Sequence, residues 1–139
     1  MHPFHLAFPV DNVKESAEFY TRCFNCQLGR QAERWVDLDF FGHQLSLHLN
    51  INKDANTDII TPVDGDTIHV PHFGVILEKA EWQQLQDKLK SEGVTFILEP
   101  KIRFAGQAGE QGTFFIKDPS NNTLEFKYFD RKSDIFATE

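Results

Sequence analysis

The sequence predicts an α+β fold built from two consecutive modules, each with the order strand, helix and three strands. Short segments in which apolar and polar residues alternate are typical of half-buried strands. Two longer segments repeat apolar residues at helical spacing. The order of segments in the N-terminal half then recurs in the C-terminal half. With 139 residues, 40% of them hydrophobic, the chain is long enough for one domain with a core.

The first module is predicted over residues 4 to 50. A strand over residues 4–10 is followed by Asp11 or Asn12, either of which is a suitable N-cap for the helix VKESAEFYTRCF. Gly42 indicates a tight turn between the last two of three further strands. These strands are predicted around QLGRQ, WVDLDFF and HQLSLHL.

The second module is predicted over residues 69 to 129, after a polar linker at 51–68. A connection of this length usually carries function or moves. The segments follow the order of the first module: VPHFGVILE as a strand, KAEWQQLQDKLKSEG as a helix, and VTFILE, GTFFIKD and TLEFKYF as strands, with the Gly-rich loop PKIRFAGQAGEQG before the second of these. Residues 130–139 form a mostly polar tail, and we expect a single domain over 1–139.

Charge and composition exclude several classes of partner. A net charge of −7 argues against nucleic acid and anionic membranes, and favours a small-molecule partner. We see no signal peptide and no run of about 20 apolar residues, so we expect a cytoplasmic protein. Cys23 and Cys26 form a C-x-x-C that is a redox or zinc half-site by spacing. Without a second pair, their helical context favours thiols that pack as small apolar residues in a reducing compartment.

Four side chains on strands are candidates for a metal site. Because side chains alternate between the faces of a strand, His5, His48, His72 and Glu125 face away from the rows that pack on the helices. His5 and His72 lie at the start of corresponding strands, and His48 and Glu125 lie on the closing strands. If the two halves combine their sheets into one curved surface, these side chains converge. Imidazoles with one carboxylate can bind a divalent metal and leave positions open for substrate and oxygen.

The alternative for each of these side chains is a hydrogen-bonded or solvated strand residue without chemistry. The same alternative is favoured for His2, His43 and His69, and for Asp37 and Asp39, which nothing nearby marks as an acid/base pair. Arg103, in the predicted Gly-rich loop, is either an anchor for an anionic substrate group or a solvated side chain.

Three segments resemble the vicinal oxygen chelate superfamily, which includes glyoxalases, bleomycin-resistance proteins and extradiol dioxygenases. HLAFPVDNVKESAEFY resembles the opening of these proteins, and HFGVILE their fifth strand, which begins with a ligand histidine. KDPSNNTLEFKYF is similar to the closing DP-x-G-N-x-x-E signature, with Asn121 where glycine is commoner; asparagine also tolerates positive φ. The resemblance covers residues 4 to about 129.

This resemblance implies two βαβββ modules that form a cupped mixed sheet around one divalent metal, with the helices outside. His5, His72 and Glu125 would be the ligands. In extradiol enzymes a histidine on the strand of His48 is an acid/base residue, whereas in glyoxalase-type members that strand supplies a fourth ligand. Ser46 or Gln44 takes this place if the register is shifted.

The chain is most similar to short proteins described as predicted extradiol-type dioxygenases. The leading hypothesis is therefore an iron(II) enzyme that cleaves a catechol-like or other vicinal-oxygen small molecule with O₂. His48 would transfer a proton, and Arg103 and Phe115 would contact substrate. Thr113 and Phe115 stand where extradiol enzymes carry a tyrosine.

Two other functions remain open. One is a glyoxalase-type isomerase or lyase using Zn, Ni, Mn or Co, with His48 as fourth ligand. The other is a binding protein without catalysis, as in resistance proteins. We expect a homodimer, with modules that pair within one chain or swap between chains.

Overall fold

The computed structural model describes residues 2–51, 59–63 and 65–138. It divides into two compact units, each containing one βαβββ module. One unit comprises Met1–Pro71 and Asp118–Asn122, and the other comprises His72–Lys117 and Thr123–Glu139. The predicted α+β class and the repeated element order are confirmed. Neither α-helix formed by the described residues is long and apolar enough to cross a membrane.

The first unit is a four-stranded sheet that packs against one helix. Its elements are β1 (His5–Val10), α1 (Val13–Phe24), β2 (Gln27–Ala32), β3 (Trp35–Phe40) and β4 (His43–Leu49). The spatial order is β1-β4-β3-β2, in which β1 and β4 are parallel and the other neighbours are antiparallel. Phe41 and Gly42 both have positive φ in the two-residue turn between β3 and β4, which the sequence predicted at Gly42.

An asparagine caps each end of helix α1. The Asn12 side chain accepts a hydrogen bond from the Glu15 amide, and Asn25 adopts the left-handed conformation with φ of 55°. The buried face of the helix includes Tyr20 and Phe24, whose rings pack against Phe40 on β3 with centroids 6.1 and 5.5 Å away. This aromatic cluster forms the core of the first unit.

The turn Asp118–Asn122 belongs to the first unit and is organised around one buried carboxylate. Asp118 accepts hydrogen bonds from the Tyr20 hydroxyl (2.8 Å) and from the amides of Ser120 (2.9 Å) and Asn122 (2.8 Å). Burial raises the pKa of Asp118, although these hydrogen bonds act in the opposite direction. Asn121 has φ of 67°, as its place in the closing signature requires.

The second unit repeats the first with its opening strand in two pieces. Its elements are β7 (His72–Phe73), β8 (Ile76–Leu77), α2 (Lys79–Ser91), β9 (Phe96–Arg103), β10 (Gln111–Lys117), β11 (Thr123–Phe129) and a 3₁₀ helix (Lys132–Phe136). The sheet order is β7-β11-β10-β9, and β8 also pairs with β11. Trp82 of α2 is buried and donates from Nε1 to the Phe126 carbonyl oxygen at 2.9 Å.

Glu110 anchors the loop between β9 and β10. Its buried carboxylate accepts hydrogen bonds from the Gly106 amide (2.8 Å), Lys79 Nζ (2.9 Å) and the Tyr128 hydroxyl (2.9 Å). These contacts, that of Gly106 above all, lower the pKa of Glu110 to about 2. A side chain that is ionised at neutral pH therefore ties this loop to α2 and β11.

The secondary structure differs from the predicted elements at three places. The predicted linker contains a hairpin of β5 (Ile59–Val63) and β6 (Asp66–Val70), and its residues 52–58 lie outside the described residues. The opening strand of the second module breaks at Gly74. Strand β9 runs on to Arg103 through Pro100, which is tolerated because β9 is an edge strand and its register with β10 shifts at this point.

Candidate metal centre

In the second unit, His72 and Glu125 lie on neighbouring parallel strands and their side chains meet. The register sets His72 opposite Thr123, so Glu125 lies two residues further along on the same face. His72 Nε2 and Glu125 Oε1 are 3.2 Å apart. Thr113 Oγ1, on β10, donates a hydrogen bond of 2.5 Å to Glu125 Oε2. The structure thus brings two predicted ligands together and orients the carboxylate through Thr113.

Gly74 lets the strand bearing His72 approach β11 closely. A Cβ atom at Gly74 would lie 1.6 Å from the Glu125 carbonyl oxygen. No side chain fits there without moving one of the two backbones. The break between β7 and β8 falls at this point of closest approach.

The local charges favour the ionised form of Glu125. Burial alone would raise its pKa, but hydrogen bonds from His72 and Thr113 and the positive charge of Lys127 outweigh burial and lower the pKa below its usual value. The carboxylate is therefore held as an anion beside an imidazole. That is the state in which a carboxylate coordinates a metal.

The separation of the two donor atoms fits a shared divalent metal. Two ligands at about 2.1 Å from one metal, at tetrahedral or octahedral angles, lie about 3.0–3.4 Å apart. The observed 3.2 Å between His72 and Glu125 falls in this range. Within each unit, however, the described residues bring no three His, Cys, Asp or Glu side chains into an arrangement for a metal. A metal held by this pair would need further ligands.

Phe115 supplies an apolar wall beside this pair. It lies opposite Glu125 in the pairing of β10 with β11, and only 3% of its surface is exposed. Its ring meets the His72 ring edge to face, with centroids 5.1 Å apart. A ligand at the His72–Glu125 pair would contact an aromatic surface on one side, although the role of Phe115 in substrate binding remains a prediction.

In the first unit, His5 is paired with Gln44. The parallel register places them opposite each other on β1 and β4, and His5 Nδ1 lies 2.8 Å from Gln44 Oε1. When Nδ1 donates to this oxygen, Nε2 carries the lone pair and is the atom able to bind a metal. An open pocket of about 320 Å³ lies on this side of the sheet, with Gln44, Asp37 and Asp39 among its lining residues.

His48 does not lie beside His5. It is opposite Pro9 on β1 and Trp35 on β3, four residues along β4 from Gln44. Four residues of strand span roughly 13 Å, which is too far for both imidazoles to bind one ion. Gln44 is therefore the residue of β4 that lies next to His5, because the two parallel strands pair in this register.

Ser46, the other residue considered for this position, is engaged elsewhere. It is buried, and its hydroxyl donates a hydrogen bond of 2.6 Å to Asp37 Oδ1. Asp39 accepts a hydrogen bond of 2.8 Å from the Gly42 amide in the neighbouring turn. His43 Nδ1 accepts from the Phe4 amide at 2.8 Å, which is the structural role that the sequence favours for it.

The environment of the two cysteines argues against reactive thiols. Cys23 and Cys26 form no disulfide and are buried, and burial, together with the nearby carboxylate of Asp39, raises the pKa of Cys26 to about 12. A thiol in this state is a poor nucleophile and metal ligand.

Arg103 lies at the end of β9 and not in a loop, with its guanidinium carbon 5.5 Å from the centre of the Phe104 ring.

Thr113 is a residue beside this pair to which the sequence assigned no role. Its signal was present: Thr113 lies two residues before Phe115, on the same face of its strand. What was not visible is that β10 and β11 pair so that the Thr113 hydroxyl reaches the Glu125 carboxylate.

Comparison with known proteins identifies the family. The profile of the glyoxalase/bleomycin resistance protein/dioxygenase superfamily matches residues 2–126. A glyoxalase/bleomycin resistance protein/dioxygenase from Alicyclobacillus acidocaldarius shares 34% identity over 97% of this chain and 96% of its own, with a TM-score of 0.78.

Two more distant structures share the fold. The fosfomycin resistance protein FosX from Listeria monocytogenes has 13% identity and a TM-score of 0.72, and the match covers 96% of this chain and 97% of that one. A lactoylglutathione lyase from Agrobacterium tumefaciens has 15% identity and a TM-score of 0.67, and the match covers 98% of this chain and 96% of that one. The structure, the profile and the first of these relatives agree, and the chain belongs to the glyoxalase/bleomycin resistance protein/dioxygenase superfamily, with its vicinal oxygen chelate fold.

Proposed function

We propose that this protein is a metal-dependent enzyme that acts on a small molecule through two adjacent oxygen atoms. The observation that carries the proposal is the His72–Glu125 pair, with its donor atoms at metal-ligand spacing and its carboxylate hydrogen-bonded by Thr113. We assign His5 as the third ligand, through the Nε2 atom that the Gln44 contact leaves available. Two imidazoles and one carboxylate leave positions for substrate.

The reaction that we favour is extradiol cleavage of a catechol-like substrate with O₂, with iron(II) as the metal. A bound divalent metal would lower the pKa of a coordinated substrate hydroxyl. Thr113 holds the Glu125 carboxylate in place, and Phe115 excludes water from one side of the substrate. His48 lies roughly 13 Å along β4 from Gln44, the residue beside His5, so we assign it no direct proton transfer at this metal.

Metal content provides the first test. Protein purified without added metal should contain one divalent ion per chain by mass spectrometry, and His72→Ala and Glu125→Gln should lose it. His2→Ala removes an exposed histidine and serves as the matched control that keeps the ion. Unchanged metal content in both His72→Ala and Glu125→Gln would overturn the ligand assignment.

Oxygen consumption tests the reaction. Iron(II)-loaded protein should consume O₂ with at least one member of a catechol panel in an oxygen electrode. Full iron occupancy with no uptake for any catechol refutes the dioxygenase. Zinc, nickel, manganese or cobalt in the purified protein, without O₂ uptake, would instead identify a glyoxalase-type isomerase or lyase. Light scattering during size-exclusion chromatography tests the homodimer that we also propose.

A further inference from the structure

The sheet face that carries His72 and Glu125 also carries an unusual number of cations. The register of the second unit sets Lys101, Thr113 and Lys127 in one row across β9, β10 and β11. The next row outward is Arg103, Gln111 and Phe129, and the next row inward contains Phe115 and Glu125. Residues directly opposite each other on antiparallel strands point to the same face.

The charge of this face is opposite to that of the whole protein. By register, Lys101, Arg103, Lys117 and Lys127 share this face of β9, β10 and β11 with one acidic residue of these strands, Glu125. The chain as a whole carries −7. This local excess of cations at a site for small molecules favours an anionic ligand.

A bulge in β9 creates this arrangement. Thr113 is opposite Lys101 and Phe115 is opposite Leu98, so three residues of β9 span two residues of β10. In a regular strand, Leu98 and Lys101 would point to opposite faces; the extra residue, next to Pro100, turns Lys101 and Arg103 toward the face of Glu125.

Aromatic rings accompany the cations. The Lys127 ammonium lies 5.3 Å from the centre of the Phe129 ring, on the same strand face two residues away. All four cations are partly buried, and Phe115 borders the Glu125 row. An organic anion would find an apolar surface for its body and positive charge for its head.

We infer that the row of Lys101 and Lys127 binds a carboxylate of the substrate, so that the substrate is a small aromatic carboxylic acid. This inference rests on the proposed function, since it places the reacting oxygens at Glu125 and His72. The cation row lies two residues along the strands from Glu125, roughly 7 Å. That is about the length of a benzene ring carrying a hydroxyl at one end and a carboxylate at the other.

A pair of isosteric probes tests the inference. We would measure the affinity of metal-loaded protein for 3,4-dihydroxybenzoate and for the neutral 3,4-dihydroxybenzamide, by calorimetry without oxygen. The acid should bind at least about tenfold more tightly than the amide, since charge-assisted hydrogen bonds add this much. Lys101→Met and Lys127→Met should each remove most of this preference, because they weaken binding of the acid far more than binding of the amide.

Lys14→Met is the matched control, because it removes the same charge from helix α1 of the first unit. It should keep the preference, and unchanged thermal midpoints would show that the variants are folded. Equal affinity for acid and amide, no binding of the acid by the wild type, or a preference that survives the Lys101→Met/Lys127→Met double change overturns the inference.

The outcomes separate this inference from the proposed function. If the acid binds preferentially but no catechol supports O₂ uptake, the anion site stands and the dioxygenase falls. If acid and amide bind equally and both are cleaved, the dioxygenase stands and the anion site falls.

Discussion

Replacing Gly74 by alanine should destabilise the second unit strongly, because the added carbon collides with backbone. The new Cβ would lie 1.6 Å from the Glu125 carbonyl oxygen, whereas carbon and oxygen in contact are normally about 3.3 Å apart. Relief requires a shift of about 1.7 Å, more than a third of the 4.8 Å between paired strands. Overpacking of this kind costs about 3 kcal/mol, which lowers the thermal midpoint by about 10 °C.

Trp82 offers a local probe of this effect. It is 1% exposed in the second unit, and in a Trp35→Phe background it is the sole tryptophan of the chain. Its fluorescence during urea unfolding would report the free energy of unfolding of that unit. The matched control is Gly29→Ala, whose Cβ would lie 3.3 Å from Asp37 Cβ, a contact that a shift of a few tenths of an ångström relieves. A Gly74→Ala protein within 0.5 kcal/mol of the control would refute the reasoning.

Three further predictions concern side chains that make hydrogen bonds within the first or the second unit. Glu110→Gln should make the free energy of unfolding less dependent on pH in acid. The Glu110 pKa, lowered to about 2, contributes stability that is complete above the ordinary value of 4.5 and lost as pH falls toward 2. Urea unfolding across this pH range measures the difference. Tyr20→Phe should cost about 2 kcal/mol in the same assay, because it removes a hydrogen bond from the buried Asp118 carboxylate; Thr21→Ser is an exposed control, and equal stability of the two variants would contradict this. Thr113→Val should weaken metal binding about tenfold in a chelator competition, and unchanged affinity would show that Thr113 does not support the ligand.

The repeated module could be predicted because periodicity reports which side chains face a core. The leucines of β4 and the apolar rows of β10 and β11 alternate with polar residues, and this alternation is local to each strand. The hairpin of β5 and β6 was missed although Gly65 lies between β-branched runs, because the surrounding residues are polar and rich in turn formers.

The candidate site was predictable as a set of residues but not as an arrangement. Which residue of β4 lies beside His5 depends on the register of two strands far apart in sequence, and alternation is the same for Gln44, Ser46 and His48. The close approach at Gly74 and the bulge beside Pro100 likewise follow from pairing with other strands. Such features depend on tertiary contacts, which a single strand's sequence does not encode.

The turn Asp118–Asn122 has a consequence for how this duplicated architecture can be divided. Its residues complete the first unit, and their carboxylate satisfies the buried Tyr20 hydroxyl, although the strands on either side of the turn belong to the second unit. Expression of residues 1–71 alone would therefore leave that hydroxyl without its partner. Residues 1–71 therefore do not contain the whole of the first unit, and separating the two units would require grafting this five-residue turn onto the N-terminal half.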